Sequence, residues 1–415
     1  MRFPESAPFT LSFSPADGFA AVCLREGGPV FSLAYENGRA SVSLSYDADP
    51  RPLRLEGEVR PGVPCSLRVA PHAVALSAGG AVLDEEWPFG RPLFAGEEIL
   101  SRSNLSLLPG VPEEKEPPAV TGVFRGAEGW RPGGGVFVGD CMPYASGGRY
   151  HVLYLKDRRH HGSKWGRGAH QWEHISTEDL ITWQIHPTAV PIDDPSEGSI
   201  CTGSFLEKDG ISYLYYTVRT VDGSPAPIRR SFSRDGYHFR KDPSFSFTLS
   251  SRYKASSARD PKVFAGGDGL YHMLVTTTLL EAGKGCLLHL VSRDLDSWTE
   301  EGPLWLAPGA DEPECPDLIA FGGFTYLVFS LKGVGRYRYT RTPPADWRTP
   351  ADPVIPCRSV PKAAVFRGGI LFAGFESEGG YAGRMTFRRA IPGPDGALIF
   401  LPDSGVARHE PDRPL

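Results

Sequence analysis

The sequence predicts an all-β chain, a five-bladed β-propeller preceded by an N-terminal β-sandwich unit. Three observations predict it. Gly 48 and Pro 39 make about a fifth of the 415 residues, which implies many turns between short elements and few long helices. Short alternating runs fill the first quarter of the chain. A self-similar unit of several strands then recurs through the remainder.

Residues 1–112 form the first predicted unit. FTLSFS, VFSLAY, ASVSLSY, LRLEGEV and SLRVAPHAVALS alternate apolar and polar residues, and Asp-Gly, Gly-Gly, Asn-Gly or Pro-Gly pairs separate them. That is the pattern of half-buried antiparallel strands joined by tight turns. The stretch CSLRVAPHAVALSAGGAVLDEEWP resembles strands of laminin-G-like, concanavalin-type sandwich modules. Such a unit either seals the flank of its neighbour or binds glycan. The charged, proline-rich VPEEKEPP at 111–118 marks a linker, assigned to residues 113–120.

Residues 121–405 carry the repeat. Its apolar strands are YHVLYLK from Tyr150, SYLYYTV from Ser212, LYHMLVTT from Leu270, FTYLVFSL from Phe324 and ILFAGF from Ile370. Outer-strand motifs follow: STEDLITW ending at Trp183, SRDGYHF at Phe239, SRDLDSW at Trp298, and a degenerate TPPADW at Trp347. They return at intervals of roughly 50–60 residues, room for five units of four strands. An array of ordinary sandwiches is the alternative, and the recurring Ser-x-Asp…Trp turn disfavours it. The recurrence of Trp183, Trp298 and Trp347 favours packing between strands over sugar stacking. Residues 406–415 are expected to be a C-terminal tail.

Net charge is −5 with pI ≈ 6.1, which argues against a nucleic-acid partner. No run reaches the ~18 apolar residues of a membrane span. MRFPESAPFT has no apolar h-region, so the expectation is a cytoplasmic protein. Seven scattered cysteines (Cys23, Cys65, Cys141, Cys201, Cys286, Cys315 and Cys357) without a CxxC spacing are expected to be reduced thiols. Nothing calls for a cofactor, and the oligomeric state stays open.

In a propeller the inner strand of each blade lines the central channel. Counting back eight to twelve residues from each apolar strand gives Asp140, Thr202, Asp260, Glu314 and Lys362. Five polar side chains at nearly equal phase are expected to converge on one funnel. Three are carboxylates, whose mutual repulsion and burial raise at least one pKa. Such a trio suits glycoside hydrolysis, where one carboxylate attacks and another donates a proton. The bland reading of Asp260-Pro261 is a turn former. His170 and His174 in HQWEH match a zinc pattern that needs a helix, and glycine-rich then strand-like surroundings disfavour it, so no metal is expected. His160, His161, Lys164, Trp165 and His170 are expected in a long loop at the funnel rim. Trp165 and His170 are candidates for sugar contact; His160 and His161 are equally well ordinary loop residues.

These motifs resemble glycoside hydrolase family 32, the β-fructofuranosidases. ARDPKVF, with Arg259 and Asp260, is similar to that family's Arg-Asp-Pro segment, and EPECPDLIAF, with Glu314, Cys315 and Asp317, to its Glu-Cys-Pro-Asp segment. VGDCMPY holds Asp140 where the nucleophile motif belongs. CTGS resembles the family's Phe-Ser-Gly-Ser, and KWGRGAHQWEHISTEDLITW its Trp-Gly-His stretch. The resemblance implies a retaining enzyme with Asp140 as nucleophile, Glu314 as acid/base and Asp260 as transition-state stabiliser, the first two ~5–5.5 Å apart. Arg259, Thr202, Asp317 and Lys362 are the further binding candidates. Arg259 pairs either with a carboxylate or with sugar hydroxyls. Lys362 either neutralises the carboxylates or meets an anionic substrate group.

The departures from the family pattern concern sugar reading. Gly139 replaces an asparagine, Leu155 a glutamine, Thr202 a serine and Cys201 an aromatic. The sandwich-like unit precedes the propeller, whereas the family places it after. The expected substrate is a small β-D-fructofuranoside. Alternatives are another furanoside such as a D-arabinofuranoside, transfer through the same intermediate, an inverting furanosidase of the propeller arabinanase/xylosidase type, and an inactive propeller that binds carbohydrate.

Overall fold

The computed structural model describes residues 8–16, 18–49, 51–70, 73–101, 106–109 and 116–410. It is all-β, with one four-residue helical turn at Ser163–Gly166 and two short 3-10 turns among the described residues. No helix among them is long and apolar enough to cross a membrane.

Two antiparallel five-stranded sheets fill the N-terminal part. One runs Ser106–Pro109, Phe9–Phe13, Cys65–Val69, Val74–Ala78, Ala81–Glu86; the other runs Leu53–Glu58, Arg39–Leu44, Gly28–Glu36, Phe19–Arg25, Leu100–Ser101. The alternation in sequence becomes alternation in burial. Leu11, Phe31, Leu33, Tyr35, Leu44, Leu67 and Leu76 point into one shared core, while intervening residues face out. The Asn37-Gly38 turn has φ of 52° and 76°, the conformation of a tight hairpin whose twist suits its strands.

The remaining strands form five antiparallel groups. Their first strands are Phe137–Ser146, Glu197–Lys208, Arg259–Ala265, Glu314–Phe321 and Val354–Phe366. Each neighbours the next, and the fifth neighbours the first, so these hub strands close a ring. Four of the groups have at least four strands. The fourth group has three, and an isolated bridge between Tyr339 and Arg348 stands where its outer strand would be. This is the unit whose outer-strand motif is degenerate.

Local chemistry explains the repeat. The Asp179 carboxylate accepts the N–H groups of Ile181 and Thr182, Asp235 those of Tyr237 and His238, and Asp294 those of Asp296 and Ser297. Each Ser/Thr-x-Asp thus builds one turn between third and fourth strands. Trp183 behind the first turn is fully buried, and Trp298 and Trp347 are partly buried against apolar clusters. Residues 406–410 do not hang free. Val406 is buried, Ala407 N–H donates to Leu180 O (3.0 Å) and His409 N–H to Glu128 O (2.8 Å).

The two parts are joined by charge. Glu85 pairs with Lys156 (2.9 Å) and Arg158 (2.8 Å), Asp84 with Arg159 (2.7 Å), and Glu86 Oε1 accepts the Lys164 N–H (2.8 Å). Trp87 inserts beside Met142, Tyr144, Leu153 and Leu155. Burial alone would raise the Glu85 carboxyl, yet Lys156 and Arg158 hold it down at about 2. Its stabilising share is therefore present above the ordinary carboxylate range and lost as pH falls towards about 2. Glu85→Ala strips a partner from two largely buried cations, and a loss of about 3 kcal/mol is expected in chemical denaturation at pH 7. The loss should shrink in acid, where the wild-type carboxyl is also neutral.

Candidate active site

A shared irregularity aims the hub side chains. Each hub strand breaks register with its neighbour at one shared place, between Val138 and Cys141, Ile200 and Gly203, Arg259 and Lys262, Glu314 and Asp317, and Ser359 and Lys362, and the second strand breaks once more between Glu197 and Ser199. A bulge bends the strand and re-aims the residue it carries. The five bulges lie at equivalent places on the ring, and four carry Asp140, Thr202, Asp260 and Cys315. Asp260 and Cys315 take φ of 59° and 50°, a conformation non-glycine residues rarely adopt.

The bulges open onto one cavity of about 340 Å³. Asp140, Thr202, Arg259, Asp260, Glu314 and His170 all line it. Thr202 Oγ1 donates to Asp140 Oδ2 (2.8 Å). Cys315 links two carboxylates: its N–H donates to Asp260 Oδ2 (2.9 Å) and its thiol to Asp140 Oδ2 (3.4 Å). Asp260 therefore does not serve as a simple turn former. One oxygen of its carboxylate is held across the hub by the residue beside Glu314.

Arg259 forks between carboxylates. It reaches Glu312 at 2.5 Å and Glu314 at 3.0 Å, with Asp260 at 3.7 Å. Of the two roles left open for Arg259, the geometry occupies it with carboxylates. Burial raises the pKa of Glu314 against the opposing pull of Arg259. Burial likewise raises Asp140, against hydrogen bonds from Thr202 and Tyr381, and raises Asp260 against Arg259. Burial thus favours a shared proton among neighbouring carboxylates above their ordinary range, the condition for acid/base and nucleophile roles to separate.

Two expected residues lie elsewhere. Asp317 and Lys362 are both 1% exposed and sit outside the cavity wall. Asp317 pairs with Lys262 (2.6 Å) and accepts the Ala363 N–H (3.1 Å), while Lys362 Nζ donates to Pro316 O (2.8 Å). They knit adjacent hub strands together beyond the bulges. At the fifth bulge the cavity is lined by Ser359 and Val360 instead. Trp165 belongs to the turn Ser163–Gly166, and its side chain lies outside the described residues.

His170 lines the cavity but holds the wall together. Its Nε2 bonds Asp157 Oδ1 (2.9 Å) and its Nδ1 lies 3.2 Å from Ser199 Oγ. Asp157, His161 and His170 bring possible ligand atoms within 4.8 Å of one another. Both nitrogens of His170 are already engaged, which reads as a hydrogen-bonded wall. HQWEH itself runs into the strand Gln171–Thr177, and His174 bonds Tyr144 Oη (3.2 Å) and His151 Nδ1 (3.0 Å) instead.

Sequence reasoning missed Tyr381, Arg219, Ser199 and Ser377, which complete the wall. None belongs to a recognisable motif. A hint existed for Tyr381, because Gly139 leaves the residue beside Asp140 without a side chain.

A ring of hub strands that brings Asp140, Asp260 and Glu314 to one cavity defines the class, an all-β chain with a carboxylate-lined funnel. Residues 142–344 match the glycosyl hydrolases family 32 N-terminal domain. The chain is 30% identical over 202 residues to sucrose-6-phosphate hydrolase of Escherichia coli, covering 46% of this chain and 40% of that one. It is 32% identical over 198 residues to sucrose-6-phosphate hydrolase of Bacillus subtilis (strain 168), covering 44% and 40%. The match thus spans about two fifths of the length of these relatives. Fructan 1-exohydrolase IIa from Cichorium intybus shares the fold, with a TM-score of 0.56 at 18% identity over 68% of this chain and 60% of that one. Residues 142–344 are thus similar to the N-terminal domain of glycoside hydrolase family 32.

Proposed function

We propose that the chain is a retaining glycoside hydrolase that cleaves a β-linked furanoside, a β-D-fructofuranoside first among them. The proposed architecture is a β-sandwich over residues 1–112, a linker over 113–120 and a five-bladed β-propeller over 121–405. The observation that carries the reading is the meeting of Asp140, Asp260 and Glu314 on one cavity, tied by Cys315 and Arg259.

Glu314, protonated, gives its proton to the leaving oxygen while Asp140 attacks the anomeric carbon from the opposite face. The C–O bond to the leaving group breaks as the ester to Asp140 forms. Glu314, now anionic, takes a proton from water, which displaces Asp140 and returns the carboxylate with the configuration retained. Burial supports the acid by raising Glu314, and Arg259 holds that carboxylate in place. Asp260 is proposed to receive sugar hydroxyls and to stabilise the developing positive charge.

Product release from a panel tests this: sucrose, sucrose 6-phosphate, kestose, levan fragments, and aryl β-D-fructo- and arabinofuranosides. Fructose released first as the β-anomer, seen by NMR within minutes, is the expected result. An inverted product, or no release from any furanoside, overturns it. The relatives named for sucrose 6-phosphate motivate one arm. Arg219 lines the cavity and, among the described residues, has no carboxylate within ion-pair distance. If the phosphorylated substrate is used, Arg219→Ala is expected to raise its KM on the order of tenfold and to spare sucrose.

A further inference from the structure

We infer that Tyr381 is a positioning residue for the nucleophile and occupies the place of the side chain that Gly139 lacks. The inference rests on reading Asp140 as the nucleophile.

Tyr381 comes from the turn between Gly369–Ser377 and Gly383–Pro392, far from Asp140 in sequence. Its phenol is used in both senses. It donates to Asp140 Oδ1 (3.0 Å) and accepts the Asp140 N–H (3.3 Å). One hydroxyl satisfies both because it carries a single proton and two lone pairs. Thr202 holds the other oxygen, Oδ2. The carboxylate is therefore pinned at both oxygens, by the second strand group on one side and the fifth on the other.

Steric fit links the pin to Gly139. A Cβ at residue 139 would lie 2.6 Å from the Tyr381 hydroxyl and 3.1 Å from ring carbons Cε1 and Cζ. Gly139 is not among the residues with positive φ, so it is needed for room. An asparagine at 139 would force this phenol out of its present place. The phenol ring is itself held: it stacks on His161 at 3.6 Å between centroids and meets Phe375 edge-on at 5.3 Å. The His160 ring approaches the Tyr381 carbonyl at 2.6 Å. The loop that carries His160 and His161 thus braces the residue that braces Asp140.

The groups facing Asp140 are Glu314 and Cys315 from the fourth group, Asp260 and Arg259 from the third, Thr202 from the second, and Tyr381 with His161 and His170 beside it. Among them only Tyr381 and Thr202 donate a hydroxyl to its carboxylate. Tyr381→Phe keeps the ring and removes the donor. Its expected kcat is about 10- to 100-fold lower, with KM within about twofold, and the acid limb of kcat/KM moves to higher pH. A ¹³C-carboxyl NMR titration without substrate, with Asp140→Asn for assignment, reads the same pin directly: Asp140 should titrate at higher pH in Tyr381→Phe. As a second check, Gly139→Asn should lower activity alone but recover part of it in a Tyr381→Ala background. An unmoved titration overturns the inference whatever the turnover. A moved titration without turnover of any furanoside upholds the pin and overturns the proposed function instead.

Discussion

Asp140→Asn should lose turnover on the order of 10⁴-fold or more and at the same time raise the melting temperature at neutral pH. The first effect follows from the proposed chemistry, since an amide cannot form the glycosyl ester. The second follows from burial. Asp140 is largely enclosed, beside Glu314, and its folded-state pKa stands above the ordinary aspartate value for that reason. An aspartate raised in this way binds its proton more tightly folded than unfolded. Stability therefore falls as pH rises from the unfolded value through the folded one, and the ionised carboxylate is a net cost above it. Asparagine removes that cost while its oxygen still accepts from Thr202 or Tyr381. Thermal denaturation at neutral pH and near pH 4 checks this: the gain should be largest at neutral pH and fade in acid. Equal melting at both, together with retained activity, would remove Asp140 from the nucleophile's place.

Glu314→Gln should cost about 10²- to 10⁴-fold on sucrose and much less on an aryl furanoside. Glutamine cannot donate a proton to a departing alkoxide, whereas a nitrophenolate leaves without one. The same substitution should erase the basic limb of the pH profile and keep the acid limb. Glu314 and Asp140 titrate as a coupled pair, so the wild-type limbs belong to the pair. With both groups raised by burial, the wild-type optimum should sit above the range of free carboxyls. Steady-state kinetics on the two leaving groups across pH supplies the test. Equal losses on both substrates would speak against a proton donor here.

How much of this was legible in sequence depends on how local its cause is. The Ser/Thr-x-Asp turns at Asp179, Asp235 and Asp294 satisfy neighbouring backbone N–H groups, so the motif is complete within a few residues and shows in the sequence. Asp140, Thr202 and Asp260 were found by phase because the hub bulges recur at the same distance from the apolar strand. Lys362, reached by the same count, does not line the cavity, though its charge still lowers the Asp260 carboxyl. Val360, two residues earlier, lines the cavity, and beyond the bulge the lysine turns into the packing between hub strands. Asp317, chosen by motif, belongs to that packing too. Tyr381, Arg219 and Ser199 escaped because no period or motif marks them. They reach the cavity from a turn, a second strand and the start of a hub strand.

The clamp of Asp84, Glu85 and Glu86 on residues 156–164 also bears on how the cavity wall is made. Translation runs from the N-terminus, and domains generally fold as units in that order. The acidic strand is thus complete on the ribosome before Lys156, Arg158 and Arg159 emerge. A unit that folds first would present Asp84, Glu85 and Glu86 to the loop as it emerges, and so fix residues 156–164 before the ring closes. Supplying the N-terminal unit as a separate chain would remove that head start, and the yield of native protein from synthesis in halves would measure what the order of the gene provides.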